Sequence, residues 1–408
     1  MNKNKLRAYA KLIAKRGLNI KKGQDVIVRC GIEQEEFLLM VVEELYKANA
    51  RKVYVEYYTL PLLKLHNKYR DKDVMGVVED FELEKLKWRS KTLPAILFLD
   101  SEDPDGLTGI DQTKESYAAN LRYPILKPYI DDMENKYQWC IAGVPSINWA
   151  KKVFPNLTPK KAVESLWENI LKCSRSYDGN PIKNWDMHNK NLKEKCDYLN
   201  SLNLVELQYK SSNGTDFKVG LISDALFLGG AEKSLKGRIF NPNIPSEEIF
   251  TSPKKGIAEG ILYSTKPLSY NGEVIEDFSI RFKEGKVVEV KAKKNEELLK
   301  QMVNEDETSS FLGEVALVAY DSPINNTNLL FYNTLFDENA CCHVALGHGF
   351  TNVIKDYEKY SLEELRDKGV NDSRIHVDFM IGSSDLSIIG IDKDDNKHVI
   401  FDKGNWAF

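Results

Sequence analysis

Apolar residues recur through the first half of the chain with two alternating periods. Residues 5–16 gather Leu6, Ala10, Leu12 and Ile13 on one side of a helix, and residues 34–48 place Phe37, Leu38, Val41, Val42 and Leu45 at helical spacing. Short runs of strand character alternate with them: 25–29 (DVIVR), 51–58 (RKVYVEYY), 95–100 (AILFLD) and 139–146 (WCIAGVPS). Strands separated by helices predict βαβ units and a mostly parallel sheet. Helical patterns continue over 159–173 and 184–202, and then the character changes. Residues 204–211, 216–221, 260–264, 277–282 and 286–291 read as strands, with hairpin-like turns at Tyr270-Asn271-Gly272 and Glu284-Gly285-Lys286. Helices are expected over 295–303 and 361–368. The pattern predicts an α/β protein. A doubly wound N-terminal α/β domain over 1–190 precedes a β-rich α+β domain over 191–408.

Composition narrows the class. A chain of 408 residues is too long for one ordinary core, which supports two domains. An apolar content of 42% with 29% charged residues fits a soluble globular protein. Basic and acidic residues number 57 and 61, and a net charge of -4 argues against nucleic acid as a partner. The start, Met1-Asn2-Lys3-Asn4-Lys5-Leu6, has no apolar core of a signal peptide. No uninterrupted apolar run approaches the roughly 20 residues that span a bilayer. The expected location is cytoplasmic, with no membrane partner. Six cysteines are scattered without a CxxC pair and are expected to be buried thiols.

Candidate chemistry concentrates near the C-terminus. His376 and Asp378 stand two apart in an apolar, strand-like run, so they project from one face of a strand. Burying an imidazole and a carboxylate is costly unless something pairs with them. A metal ion would satisfy both, and so would a hydrogen-bonded core network; the spacing leaves the two open. His343, His348 and His376 make up half of the six histidines and fall in this short region. Cys341 and Cys342 adjoin His343, but neighbours on a strand face opposite ways and cannot both easily reach one ion. No phosphate loop, GxGxxG turn, GxSxG elbow or HExxH helix is present, so nucleotide binding and serine hydrolysis lack support.

Several motifs fall in a fixed order: NIPSEEIFTSP (243–253), GEVA (313–316), ENACCHVALG (338–347) and NDSRIHVDFMIGS (371–383). GLNIKKGQ (17–24), AGVPS (142–146) and NGTD (213–216) accompany them. With these spacings the sequence resembles the thermophilic-type metallo-aminopeptidases, the aminopeptidase T and PepS family, over essentially the whole chain. The resemblance implies metal ligands at Glu248, Glu314, His343, His376 and Asp378, and a further acidic position at Glu338. It implies two divalent ions (zinc, cobalt, manganese or magnesium) held in the second domain, short peptides as substrates and a homodimer. Its first domain would cover the site. Carboxylates would offset the charge of two ions, and imidazoles would favour a transition metal over calcium. Either Glu248 or Glu314 could bridge the ions or relay a proton. One departure stands out: seven residues after His343 the family commonly carries a Tyr, implied to stabilise the tetrahedral intermediate, whereas this chain has Phe350. His348, two residues away, is either a substitute donor on the same side or a solvated loop histidine. Phe350 also motivates the alternative of a catalytically weak or inactive homologue that binds peptide or metal.

Overall fold

The computed structural model describes residues 2–408. The chain forms two compact units: residues through Met187 together with Ala231–Pro245, and His188–Gly230 together with Ser246–Phe408. The first break falls near residue 190. The return of 231–245 to the first unit leaves no trace in the hydrophobic pattern, because its contribution to the main sheet is the two-residue strand Asn243–Ile244.

In the first unit five parallel strands stand in the order Val53–Tyr58, Val26–Gly31, Ala95–Asp100, Trp139–Gly143, Asn243–Ile244. The β-branched and apolar runs read from the sequence supply the first four. The helices Lys3–Leu12, Glu35–Lys47 and Pro159–Cys173 meet through an aromatic cluster. Tyr9 stacks on Phe37 at 5.6 Å, and Trp167 meets their rings edge-on at 6.3 and 5.1 Å. Burying side chains of this size contributes about 1.5–3 kcal/mol each. The first helix then widens into a π-helical segment, Ile13–Leu18, and closes at Asn19 in the left-handed region.

Two long helices, Asp80–Thr92 and Gln112–Met133, escaped the pattern reading. Asp80–Thr92 buries none of its residues, and Gln112–Met133 buries only Ala118 and Met133. Without an apolar stripe there is no periodicity to detect.

The second unit is antiparallel. Its larger sheet runs Leu268–Tyr270, Glu273–Lys283, Pro253–Tyr263, Asp216–Leu221, Leu204–Lys210, Ser387–Asp392, Lys397–Asp402, Asn405–Trp406, with Lys286–Lys294 also paired to Glu273–Lys283. A smaller sheet follows the order Ile249–Thr251, Leu312–Leu317, His343–Gly347, His376–Met380. Side chains alternate across this small sheet. One face sends Val315, Leu317, Val344, Leu346 and Phe379 into the apolar core with Phe217, Phe278 and Phe282. The opposite face carries the chemistry.

Candidate metal centre

Strand register assembles the site. Glu314 lies opposite Ala345, and Ala345 lies opposite Asp378; His343 lies opposite Ala316, and His376 opposite Gly347. All these residues therefore share one face. The small side chains of Ala316 and Ala345 leave room between the larger polar ones. Glu248 precedes the short strand Ile249–Thr251, two residues before Phe250, which pairs with Ala316 on the same face.

Two groups of donor atoms result. Glu248, Glu314 and His343 form one, and Glu314, His376 and Asp378 the other; within each, one donor atom per residue lies within 4.8 Å of the others. Glu314 belongs to both. His343 Nε2 is 3.3 Å from Glu248 Oε2; His376 Nε2 is 3.1 Å from Glu314 Oε2 and 3.3 Å from Asp378 Oδ1. The His376 Nδ1 lies 2.7 Å from the His348 carbonyl oxygen, and the His343 Nδ1 lies 3.3 Å from that of Cys341. Each carbonyl accepts an N–H from Nδ1, so each imidazole turns Nε2 to the cluster, where it donates to a carboxylate when protonated and is free to coordinate an ion when it is not.

The electrostatics are those of a site short of positive charge. Burial pushes the Glu314 carboxyl up to about 7, reinforced by Glu248 and Asp378 and opposed by His376. Burial and the carboxylates of Asp378, Glu248 and Glu314 hold Glu338 well above the usual range. Burial alone would lower the His343 pKa, but Glu248, Asp378 and Glu314 bring it up to about 9. His376 is raised in the same way, against its burial, chiefly by Asp378. Asp378 sits below its ordinary value because His376 outweighs the effect of burial. His343 Nε2 and Asp378 Oδ1 are buried and find no partner with hydrogen-bond geometry among the described residues. Leaving such atoms unsatisfied is costly, and both face a common cluster of carboxylates. Oxygen and imidazole donors of this kind suit a divalent transition-metal ion.

Of the residues expected from the sequence, Glu248, Glu314, His343, His376 and Asp378 come together. Glu338 is buried beside them, within hydrogen-bonding reach of Asp378, although it belongs to neither group of three. The His348 imidazole turns to Asp372, with Nδ1 3.6 Å from Oδ1; its backbone carbonyl is the part that serves the site. The Phe350 ring lies 5.0 Å from the His376 ring and 5.2 Å from Phe250. It borders the cluster without a polar atom. The Cys341 thiol approaches Thr265 and the Cys342 thiol approaches Val318, so neither joins the donor groups.

Supporting residues passed unnoticed in the sequence. Ser252 Oγ accepts the Phe350 N–H at 2.7 Å, and Asn371 Nδ2 donates to the Gly347 carbonyl at 2.6 Å. The Asp306 carboxylate accepts from the Arg374 N–H and the Ser373 hydroxyl, each at 2.7 Å, and so fixes the segment leading into His376. Ser252, Asn371 and Ser373 lie within the quoted motifs, which give them no role of their own, and Asp306 is an ordinary polar residue in a loop with no local signal to mark it.

Fold and donor set together fit a metal-dependent enzyme, and the comparisons with known proteins give its class. The chain belongs to the thermophilic metalloprotease (M29) family, which it matches over residues 2–406. It is 39% identical to aminopeptidase AmpS of Bacillus subtilis (strain 168) over 407 residues, covering 99% of this chain and 98% of the relative. It is 38% identical to aminopeptidase 2 of Geobacillus stearothermophilus, covering 98% and 97% respectively. The solved structure of wild-type AmpT from Thermus thermophilus superposes with a TM-score of 0.89 at 34% identity, covering 100% of both chains.

Proposed function

We propose that the protein is an aminopeptidase that releases N-terminal residues from short peptides, with two divalent ions held by Glu248, Glu314, Glu338, His343, His376 and Asp378. The observation that carries this reading is the pair of donor groups meeting at Glu314, each containing a buried atom without a partner of hydrogen-bond geometry. With neutral imidazoles the four carboxylates bring charge that two divalent ions would balance. Such ions supply Lewis acidity, acidifying a water molecule and polarising a scissile carbonyl. The protein's own contribution is to hold the donors rigid and exclude bulk water. Glu314, common to both groups, is placed to hold both ions, and a cluster carboxylate not engaged in that way takes the proton of the attacking water and delivers it to the leaving amine. The free α-amine of a peptide would be held by one ion or by a single carboxylate of the cluster, which restricts cleavage to the first residue.

We place the protein in the cytoplasm, supported by its six buried free cysteines. No helix among the described residues is long and apolar enough to cross a membrane. A homodimer remains the assembly implied by the family resemblance, and light scattering on the purified protein tests it.

A second reading is favoured by Phe350. With a phenyl ring beside His376 where relatives commonly carry a phenol, the protein would bind peptide or metal and turn over slowly. Phe350→Tyr separates the two readings, a large gain in rate showing that the missing hydroxyl limits the native enzyme, and Glu314→Gln tests the first. Under the first, hydrolysis of aminoacyl p-nitroanilides disappears in a folded variant; a variant with unaltered hydrolysis would refute the assignment of Glu314.

A further inference from the structure

One buried side chain connects two of the candidate ligands. Asn339 is 0% exposed and follows Glu338 in the short 3-10 turn Glu338–Ala340. Its Oδ1 accepts the backbone N–H of Glu247 at 2.7 Å, immediately before Glu248. Its Nδ2 donates to the Leu335 carbonyl at 2.9 Å and to Glu338 Oε1 at 3.2 Å. The partners settle which way the amide points. A backbone N–H can only donate, so it must meet the amide oxygen; the Leu335 carbonyl can only accept, so it must meet the nitrogen.

We infer that Asn339 is a positioning residue, which locks Glu248 and Glu338 in register with each other and thereby tunes how the cluster binds metal. The inference rests on reading those two glutamates as ligands. Both N–H groups of the amide are used, and its oxygen is used, so the side chain has no slack. Through the Glu247 N–H it anchors the segment that aims Glu248 at His343 Nε2, 3.3 Å away. Through Nδ2 it restrains a carboxylate that neighbouring negative charge would otherwise displace. The chemistry requires an amide. An aspartate of the same shape could still accept from the Glu247 N–H, but it would set a second carboxylate against Glu338 and the Leu335 carbonyl, where only a donor fits.

The test uses cobalt(II) as the probe, added to the metal-depleted full-length protein. Parent, Asn339→Asp and Asn339→Ser are compared by visible absorption titration, with far-UV circular dichroism as the check of folding. Loss of such a supporting contact typically weakens metal binding about 10–100-fold. A drop of that size for at least one cobalt equivalent, with an altered visible band and a larger change in kcat than in KM, supports the inference. Ser is too short to span both partners and is expected to behave alike, which covers a failure of the Asp variant to fold. Parental affinity and spectrum in a folded variant overturn the role of Asn339 alone. A parent that takes up no cobalt overturns the metal reading, and this inference with it.

Discussion

Gly313→Ala is a one-methyl perturbation with a traceable consequence. The pairing of the Leu312–Leu317 strand with His343–Gly347 slips between Leu312 and Glu314, and Gly313 occupies that irregularity. A Cβ at Gly313 would fall 2.1 Å from the His348 carbonyl oxygen and 2.5 Å from that of Gly347. Real Cβ contacts stay above 3.0 Å, so the backbone must yield by about 1 Å. Both carbonyls hold functional side chains. The first accepts from His376 Nδ1 at 2.7 Å, and the second from Asn371 Nδ2 at 2.6 Å. Overpacking of this kind costs about 1–3 kcal/mol of stability. A displacement of about 1 Å at a catalytic constellation costs on the order of 10² in rate, or about 2.7 kcal/mol. The assay is kcat/KM on a panel of aminoacyl p-nitroanilides, beside cobalt titration and the thermal midpoint. The expected result is a loss near 10² in kcat/KM with weakened cobalt binding in a folded variant. Parental turnover and affinity would show that the His348 carbonyl does not set the position of His376.

Three further outcomes are expected. Phe350→Tyr adds a hydroxyl beside the His376 ring; a donor of this kind is worth about 10²–10³ in turnover. A gain approaching that range would show that the missing hydroxyl limits the native protein, and an unchanged rate would show that another group already serves. Glu314→Gln and His376→Ala are each expected to abolish hydrolysis without unfolding the chain, as read by circular dichroism alongside the p-nitroanilide assay. Metal binding is expected to be pH-dependent. With His343 raised to about 9 in the metal-free site, its proton is still bound at neutral pH and must leave on metal binding. Apparent affinity should then rise about tenfold per pH unit for each proton displaced, until the pH passes that value. Calorimetry in buffers of different ionisation enthalpy counts the protons; an affinity flat from about pH 6 to 9 would contradict the charge arrangement described.

The legibility of the chain followed its burial. The helix Pro159–Cys173 and the strand Ala95–Asp100 carry clear apolar periodicity and appear with the limits the pattern predicts. Asp80–Thr92 carries none and was unreadable. For the site, His376 and Asp378 announced themselves through strand spacing, because two polar side chains in an apolar run are conspicuous. Glu248 and Glu314 did not. They lie far apart in sequence, and only the antiparallel register and the family resemblance bring them into view. Asn339 and Gly313 lie inside the motifs ENACCHVALG and GEVA, yet the motifs assign them no role. Their importance lies in which backbone atoms they touch, and nothing in a local pattern encodes that. The carbonyl of His348 makes the same point: it meets His376 Nδ1 at 2.7 Å, and a backbone carbonyl is a group every residue possesses.

Anomalous diffraction from crystals of the cobalt-loaded protein tests the central claim most directly. The account predicts two peaks, one among Glu248, Glu314 and His343 and one among Glu314, His376 and Asp378. A map with no peak at these residues, or with ions bound only elsewhere, would contradict it.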